Sequence, residues 1–105
     1  VGYDNHINYI TSNYIEFNNT IEVALNYAKN NSNTLVIVTA DHETGGLAIT
    51  MGKTKNFEMV TSFNTVGHSA TMVPVFSYGK FSELFTGIYE NNQIFHKMIE
   101  ALDMN

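Results

Sequence analysis

Apolar residues recur along the chain with two different periods, and the change of period marks its elements. Phe17, Ile21, Ala24, Leu25 and Ala28 fall on one face of a helix, while Glu22, Val23 and Asn26 fall elsewhere. Asn18 reads as the N-cap of that helix, and the run Asn30-Asn31-Ser32-Asn33 ends it, since Asn tolerates turn conformations that a helix interior excludes. Residues 1–13, polar and Asn-rich without a sustained period, read as a loop running into the helix. Over 35–40 the pattern becomes an unbroken apolar and β-branched run, the habit of a central parallel strand with both faces buried. Two further strands are expected at 47–51 and 57–63, joined by a turn at 52–56. Another is expected at 73–78, where Pro74 marks an edge or a strand start. The last element is a helix over 93–102, with Asn92 as N-cap and Ile94, Phe95, Met98, Ile99 and Leu102 as its apolar stripe.

This order predicts an α/β fold. A helix that precedes a doubly buried parallel strand belongs to a βαβ unit whose first strand is not in this sequence. The expectation is therefore that the 105 residues are a single segment of a larger α/β core. Composition narrows the partners. Ten acidic side chains against five lysines, with no arginine, give a net charge of -5, which excludes nucleic acid as a partner. No apolar run approaches the roughly 20 residues that span a bilayer, and no signal peptide pattern opens the sequence. With no cysteine there is neither a disulfide nor a thiolate zinc site, so any metal must be held by His and carboxylate.

Candidate chemistry concentrates in two histidines. His96 lies away from the apolar stripe of the last helix, and His6 sits in the polar opening segment; both read as surface residues. His42 follows Asp41 where the apolar strand ends, and in open α/β sheets ligands bind beyond the carboxyl ends of strands. A carboxylate and an imidazole are ordinary donors to zinc, and Gly45 and Gly46 allow a sharp turn or a close approach. The alternative is that Asp41 caps a turn and His42 is a polar loop residue. His68 lies in a second loop, 26 residues on, a gap that matches no compact metal motif; only a fold can bring the two together. Ser69, Ser77 and Ser82 have no nucleophile elbow, and Gly45-Gly46 matches no phosphate loop.

The string TLVIVTADHETGG over 34–46 closely resembles the strand and metal loop of the alkaline phosphatase family. Gly67-His68-Ser69-Ala70 with Val73-Pro74-Val75-Phe76 and Gly79 is similar to that family's second histidine loop. The segment 87–95 is similar to its closing segment, and the helix from Glu16 to Ala28 follows its pattern. The resemblance implies an α/β sandwich with a mostly parallel central sheet flanked by helices, two zinc ions and a nearby magnesium. It implies hydrolysis of phosphate monoesters through a phosphoserine, in a periplasmic or extracellular setting, and leaves room for a homodimer. Carried over by position, Asp41 and His42 are ligands of the second zinc and His68 of the first; Glu43, Thr44, Gly45 and Gly46 belong to the motif without a ligand role.

Two departures qualify this. Tyr3 stands where the family has a histidine of the first zinc site, and the aspartate paired with that histidine would precede Val1. A phenol is a poor zinc ligand, because its proton has a pKa of about 10. His6 is a weak substitute, three residues displaced. The family's nucleophilic serine, magnesium ligands and phosphate-clamping arginine all lie upstream of the matching segment. The resemblance therefore implies no catalytic residue in this chain, which is expected to be inactive alone. The alternative is a non-catalytic remnant or pseudoenzyme domain that binds metal weakly. A phosphodiesterase, sulfatase or phosphoglycerate mutase of the same superfamily fits the string less well.

Overall fold

The computed structural model of the chain describes residues 7–56 and 58–103. In chain order its elements are α1 Ile7–Asn30, β1 Leu35–Thr39, β2 Glu43–Thr44, β3 Ala48–Lys53, β4 Glu58–Ser62, β5 His68–Ser69, β6 Val75–Gly79, a 3-10 helix Ser82–Phe85, and α2 Gln93–Asp103. They fall into two compact units. One is drawn from the chain up to Phe17 together with His42–Val73, the other from Asn18–Asp41 together with the chain from Pro74 onward.

α1 begins well before the expected start, so Asn18 is an interior residue and not an N-cap. Ile7, Ile10, Tyr14 and Phe17 already keep helical spacing, which the surrounding Asn, Thr and Ser disguise. Two hydroxyls that compete with a helix are turned back into it: Thr11 Oγ1 donates to the Ile7 carbonyl at 2.8 Å and Ser12 Oγ to that of Tyr9 at 3.0 Å. The asparagine run does end the helix as expected. Asn30 Nδ2 donates to the Asn26 carbonyl and Asn31 Nδ2 to that of Tyr27, both at 2.8 Å, the second satisfying one of the carbonyls that the helix end leaves without an intrahelical partner.

In the second unit β1 pairs with β6 antiparallel, with Leu35 opposite Gly79, Ile37 opposite Ser77 and Thr39 opposite Val75. The expected parallel central sheet is thus corrected. Among the described residues every pairing is antiparallel and the strands form three two-stranded sheets. A continuous apolar run specifies that both faces of a strand are apolar, not the direction of its neighbour. Pro74 lies just before β6, and its carbonyl accepts from Thr39 Oγ1 at 3.1 Å. Beyond β6 the chain turns through Gly79 at φ 103° and Phe81 at φ 64° into the 3-10 helix.

Among the described residues the buried hydrophobic side chains are Ala28, Phe85 and Ala101, all in this unit. α2 is turned relative to its expected stripe. Ala101 is buried and Ile94 and Lys97 are half-buried, whereas Phe95, Met98, Ile99 and Leu102 are exposed. Lys97 explains the rotation: its Nζ donates to the Leu84 carbonyl at 2.7 Å and lies 4.4 Å from the Tyr89 ring centroid, so its stem runs along the inner face. Tyr89 in turn donates its hydroxyl to the Phe85 carbonyl at 2.9 Å. Leu35 and Ile37 line a cleft of about 270 Å³ with Phe81, Met98, Ala101 and Leu102.

In the first unit β3 and β4 form an antiparallel hairpin with a register shift between Ile49 and Met51. β3 runs two residues past its expected end, through Lys53, and the turn closes with Asn56 N–H donating to the Lys53 carbonyl at 3.2 Å. β4 spans Glu58–Ser62, inside the expected 57–63, of which Phe57 lies outside the described residues. The hairpin is open on its faces, with Ile49 and Met51 each 68% exposed. The remaining sheet, β2 with β5, carries the candidate site.

Candidate metal and histidine site

The site is built on an antiparallel ladder two residues long. Glu43 pairs with Ser69 and Thr44 with His68. Side chains alternate along a strand, so Glu43 and Ser69 share one face of the ladder and Thr44 and His68 the other. His42, two residues before Thr44, joins the second face. The rings of His42 and His68 stack there, with centroids 3.4 Å apart and planes 24° from parallel. This is the encounter that a 26-residue gap could not specify and that the fold supplies.

His42 is oriented by its own loop. Its Nδ1 lies 3.2 Å from the Glu43 carbonyl oxygen and 3.2 Å from Thr44 Oγ1. A carbonyl can only accept, so Nδ1 carries a proton, and in the neutral ring Nε2 keeps the lone pair. That arrangement is the usual one for a metal-ligating histidine. Asp41, the preceding residue, is exposed and belongs to the other compact unit. Among the described residues no group of three His, Cys, Asp or Glu side chains is gathered in a metal-holding arrangement.

The donor chemistry of these residues nevertheless suits zinc, since imidazole nitrogens and a carboxylate are its normal ligands when thiolates are absent. Imidazole lone pairs lie in the ring planes, and the two planes lie 24° from parallel.

Two residues with no assigned role hold the ladder together. The Glu43 carboxylate accepts a hydrogen bond from Ser69 Oγ, and it also accepts from the amides of Gly46 at 3.0 Å and Leu47 at 3.3 Å. The Ser69 hydroxyl lowers the pKa of Glu43 below the ordinary glutamate value, the Leu47 and Gly46 amides and the charge of His42 act in the same sense, and burial opposes them. With its folded value depressed, Glu43 stays ionised where an unfolded glutamate would begin to protonate. The clamp is fully present above the unfolded value and weakens as pH falls through the lower one. Gly45 and Gly46, at φ 85° and 58°, close the turn. The Gly45 amide donates to the Gly67 carbonyl at 2.8 Å, and the Gly45 carbonyl accepts from the amides of Asn64 and Thr65.

Tyr3 and His6, which bear on the first zinc site, lie outside the described residues. His96 is exposed on α2 with its ring edge toward Phe95 at 5.4 Å, consistent with a surface role. Sequence reasoning missed Glu43 and Ser69. For Glu43 a signal existed: a carboxylate three and four residues before two amides, beside a pair of glycines, is placed to accept from that turn. For Ser69 none existed, because its partner is 26 residues away.

Comparison with known proteins shows what the chain as a whole is similar to. The profile of the alkaline phosphatase family matches residues 2–65. The solved structure of alkaline phosphatase from the Antarctic bacterium TAB5 is 48% identical, with a TM-score of 0.88, over 99% of this chain and 32% of that one. A histidine-to-glutamate mutant of the TAB5 protein, solved with magnesium bound in its M3 site, is 45% identical with a TM-score of 0.86, over 95% of this chain and 32% of that one. Alkaline phosphatase 3 of Bacillus subtilis (strain 168) is 24% identical over 174 residues, which take in 99% of this chain and 38% of that protein. The chain thus spans about a third of the length of the relatives it matches.

Proposed function

The chain belongs to the alkaline phosphatase family, and we propose that it contributes the histidine-bearing part of a metal-dependent phosphate monoester hydrolase. In this reading the 105 residues are one segment of a larger phosphatase domain. His42, with Asp41, holds one zinc ion and His68 another. The nucleophilic serine, the phosphate-clamping arginine and the magnesium ligands come from other parts of the domain, in a periplasmic or extracellular enzyme.

The observation that carries the reading is the stack of His42 on His68, with Nδ1 of His42 held by the Glu43 carbonyl. Zinc held by these imidazoles would supply charge neutralisation for displacement at phosphorus. This chain's own residues present and orient the imidazoles: the Glu43 carbonyl sets the tautomer of His42, and the β2–β5 ladder brings His68 beside it. Magnesium in the TAB5 mutant structure supports metal chemistry in the family; its ligands here are not among the residues we assign.

Calorimetric titration of the purified chain with Zn²⁺ tests the reading. Zinc is taken up, uptake is lost in His42→Ala and weakened in His68→Ala, and a chromogenic phosphate ester is not hydrolysed with zinc present. Uptake indifferent to His42→Ala would refute the ligand assignment, and zinc-dependent hydrolysis by the chain itself would refute the absence of catalytic residues. A second reading, a non-catalytic remnant that binds metal weakly, is favoured by Tyr3 in place of the family's histidine. Tight stoichiometric zinc binding would exclude it.

A further inference from the structure

We propose that Glu43 and Ser69 act as a register lock for His42 and His68, a pair of positioning residues that touch no substrate and hold no metal. The inference rests on the reading of the two histidines as metal ligands and adds to it the means by which they are held side by side.

Three observations carry it. First, the ladder that brings His68 to His42 is short, Glu43 to Ser69 and Thr44 to His68, continued by one backbone bond from the Gly45 amide to the Gly67 carbonyl. Register in so short a pairing is weakly specified, and a slip of one residue sends every side chain to the opposite face. Such a slip would part His42 from His68. Second, the Glu43–Ser69 pair is directly cross-strand and lies on the face away from the rings. A hydrogen bond between these side chains therefore fixes the register without occupying the ligand face. Third, the same carboxylate accepts from the Gly46 and Leu47 amides, so the group that grips β5 also fastens the turn leaving β2. Its backbone carbonyl meanwhile accepts from Nδ1 of His42. Glu43 thus sits in contact with the turn, the opposite strand and one of the rings. A carboxylate suits this place because it accepts several hydrogen bonds at once, where an amide or hydroxyl would bring competing donors.

The test uses the full chain, without metal, labelled uniformly with ¹⁵N and read by NMR. The expected result is a ring-to-ring Overhauser contact between His42 and His68 that disappears in Glu43→Ala, weakens in Ser69→Ala and is kept in Ser69→Thr, which retains the hydroxyl. Amide signals of Ile49 and Val60, in the β3–β4 hairpin of the same unit, report that the fold is intact; if Glu43→Ala does not fold, the two Ser69 variants decide. A ring contact that persists in Ser69→Ala and in any folded Glu43→Ala overturns the lock. Zinc titration of the same proteins separates the inference from the reading beneath it. Glu43→Ala is expected to weaken zinc binding about 10- to 100-fold, as loss of a supporting partner usually does, while His42→Ala abolishes it. Zinc affinity unchanged in Glu43→Ala but lost in His42→Ala overturns the lock and keeps the ligand assignment. A ring contact that needs Glu43 in a chain that takes up no zinc keeps the lock and overturns the ligand assignment.

Discussion

The two compact units are held by different forces. From Pro74 onward the chain relies on packing: Phe85 and Ala101 are buried, a lysine stem lies along α2, and Tyr89 and Lys97 spend their polar ends on carbonyls of the 3-10 helix. The segment His42–Val73 has no buried hydrophobic side chain among its described residues, and relies on backbone turns and on one carboxylate that accepts three hydrogen bonds. Packing is non-directional and tolerates small displacements, whereas a hydrogen-bonded turn is sensitive to tenths of an ångström. The stacked imidazoles of His42 and His68 lie on the second kind of scaffold.

The largest test of this contrast is Phe85→Ala. Phe85 is 3% exposed, and truncating a buried phenylalanine costs about 3–5 kcal/mol. Urea unfolding followed by the signals of α2 is expected to shift by that amount, and a loss below about 1 kcal/mol would mean that packing does not hold this unit. Next come two glycines of the same unit with nearly the same backbone angle. Gly79 is at φ 103° and Gly87 at φ 104°, but a Cβ at Gly79 would collide with the Thr34 carbonyl oxygen while one at Gly87 meets nothing within 4 Å. Both alanine variants carry the cost of a strained backbone, about 1–3 kcal/mol. Gly79→Ala is expected to lose a further 1–3 kcal/mol or about that for the collision, seen as a lower unfolding midpoint than Gly87→Ala. Equal midpoints would show that the close approach at the end of β1 and β6 is not tight. The smallest effect lies in the hairpin. The Lys53–Glu58 pair, 3.5 Å apart, has side chains 72% and 56% exposed. Lys53→Ala is expected to change stability by less than about 0.5 kcal/mol; a larger loss would mean that this hairpin is held by charge.

How far each part could be read from sequence follows the same division. The elements whose causes are local were legible. The Asn30–Asn33 run ends α1 through its own side-chain amides, and α2, β1 and β6 lie within a residue or two of their expected bounds. The start of α1 was not, because its apolar spacing is interrupted by Asn, Thr and Ser whose hydroxyls bond back into the helix only once it has formed. Nor was the face of α2, which Lys97 changes by burying its stem where a stripe of apolar residues was expected. Nor was the antiparallel pairing of β1 with β6, since an apolar run carries no information about its partner. His42 and His68 were picked out singly, by the strand end and by motif resemblance, but neither position implied contact between the rings.

What the sequence determined by itself is therefore the chemistry on offer. The absence of cysteine and arginine limits the donors to histidine and carboxylate and leaves no guanidinium for a phosphate. The Asp41-His42-Glu43 string and His68 carry the family resemblance. Tertiary structure alone decided how that chemistry is arranged. Ring stacking across 26 residues, the antiparallel pairing of β1 with β6, and the Glu43–Ser69 contact all depend on register between distant segments. Periodicity within one segment reports which of its faces is apolar, but relative register is a property of two segments and is set only when they pair.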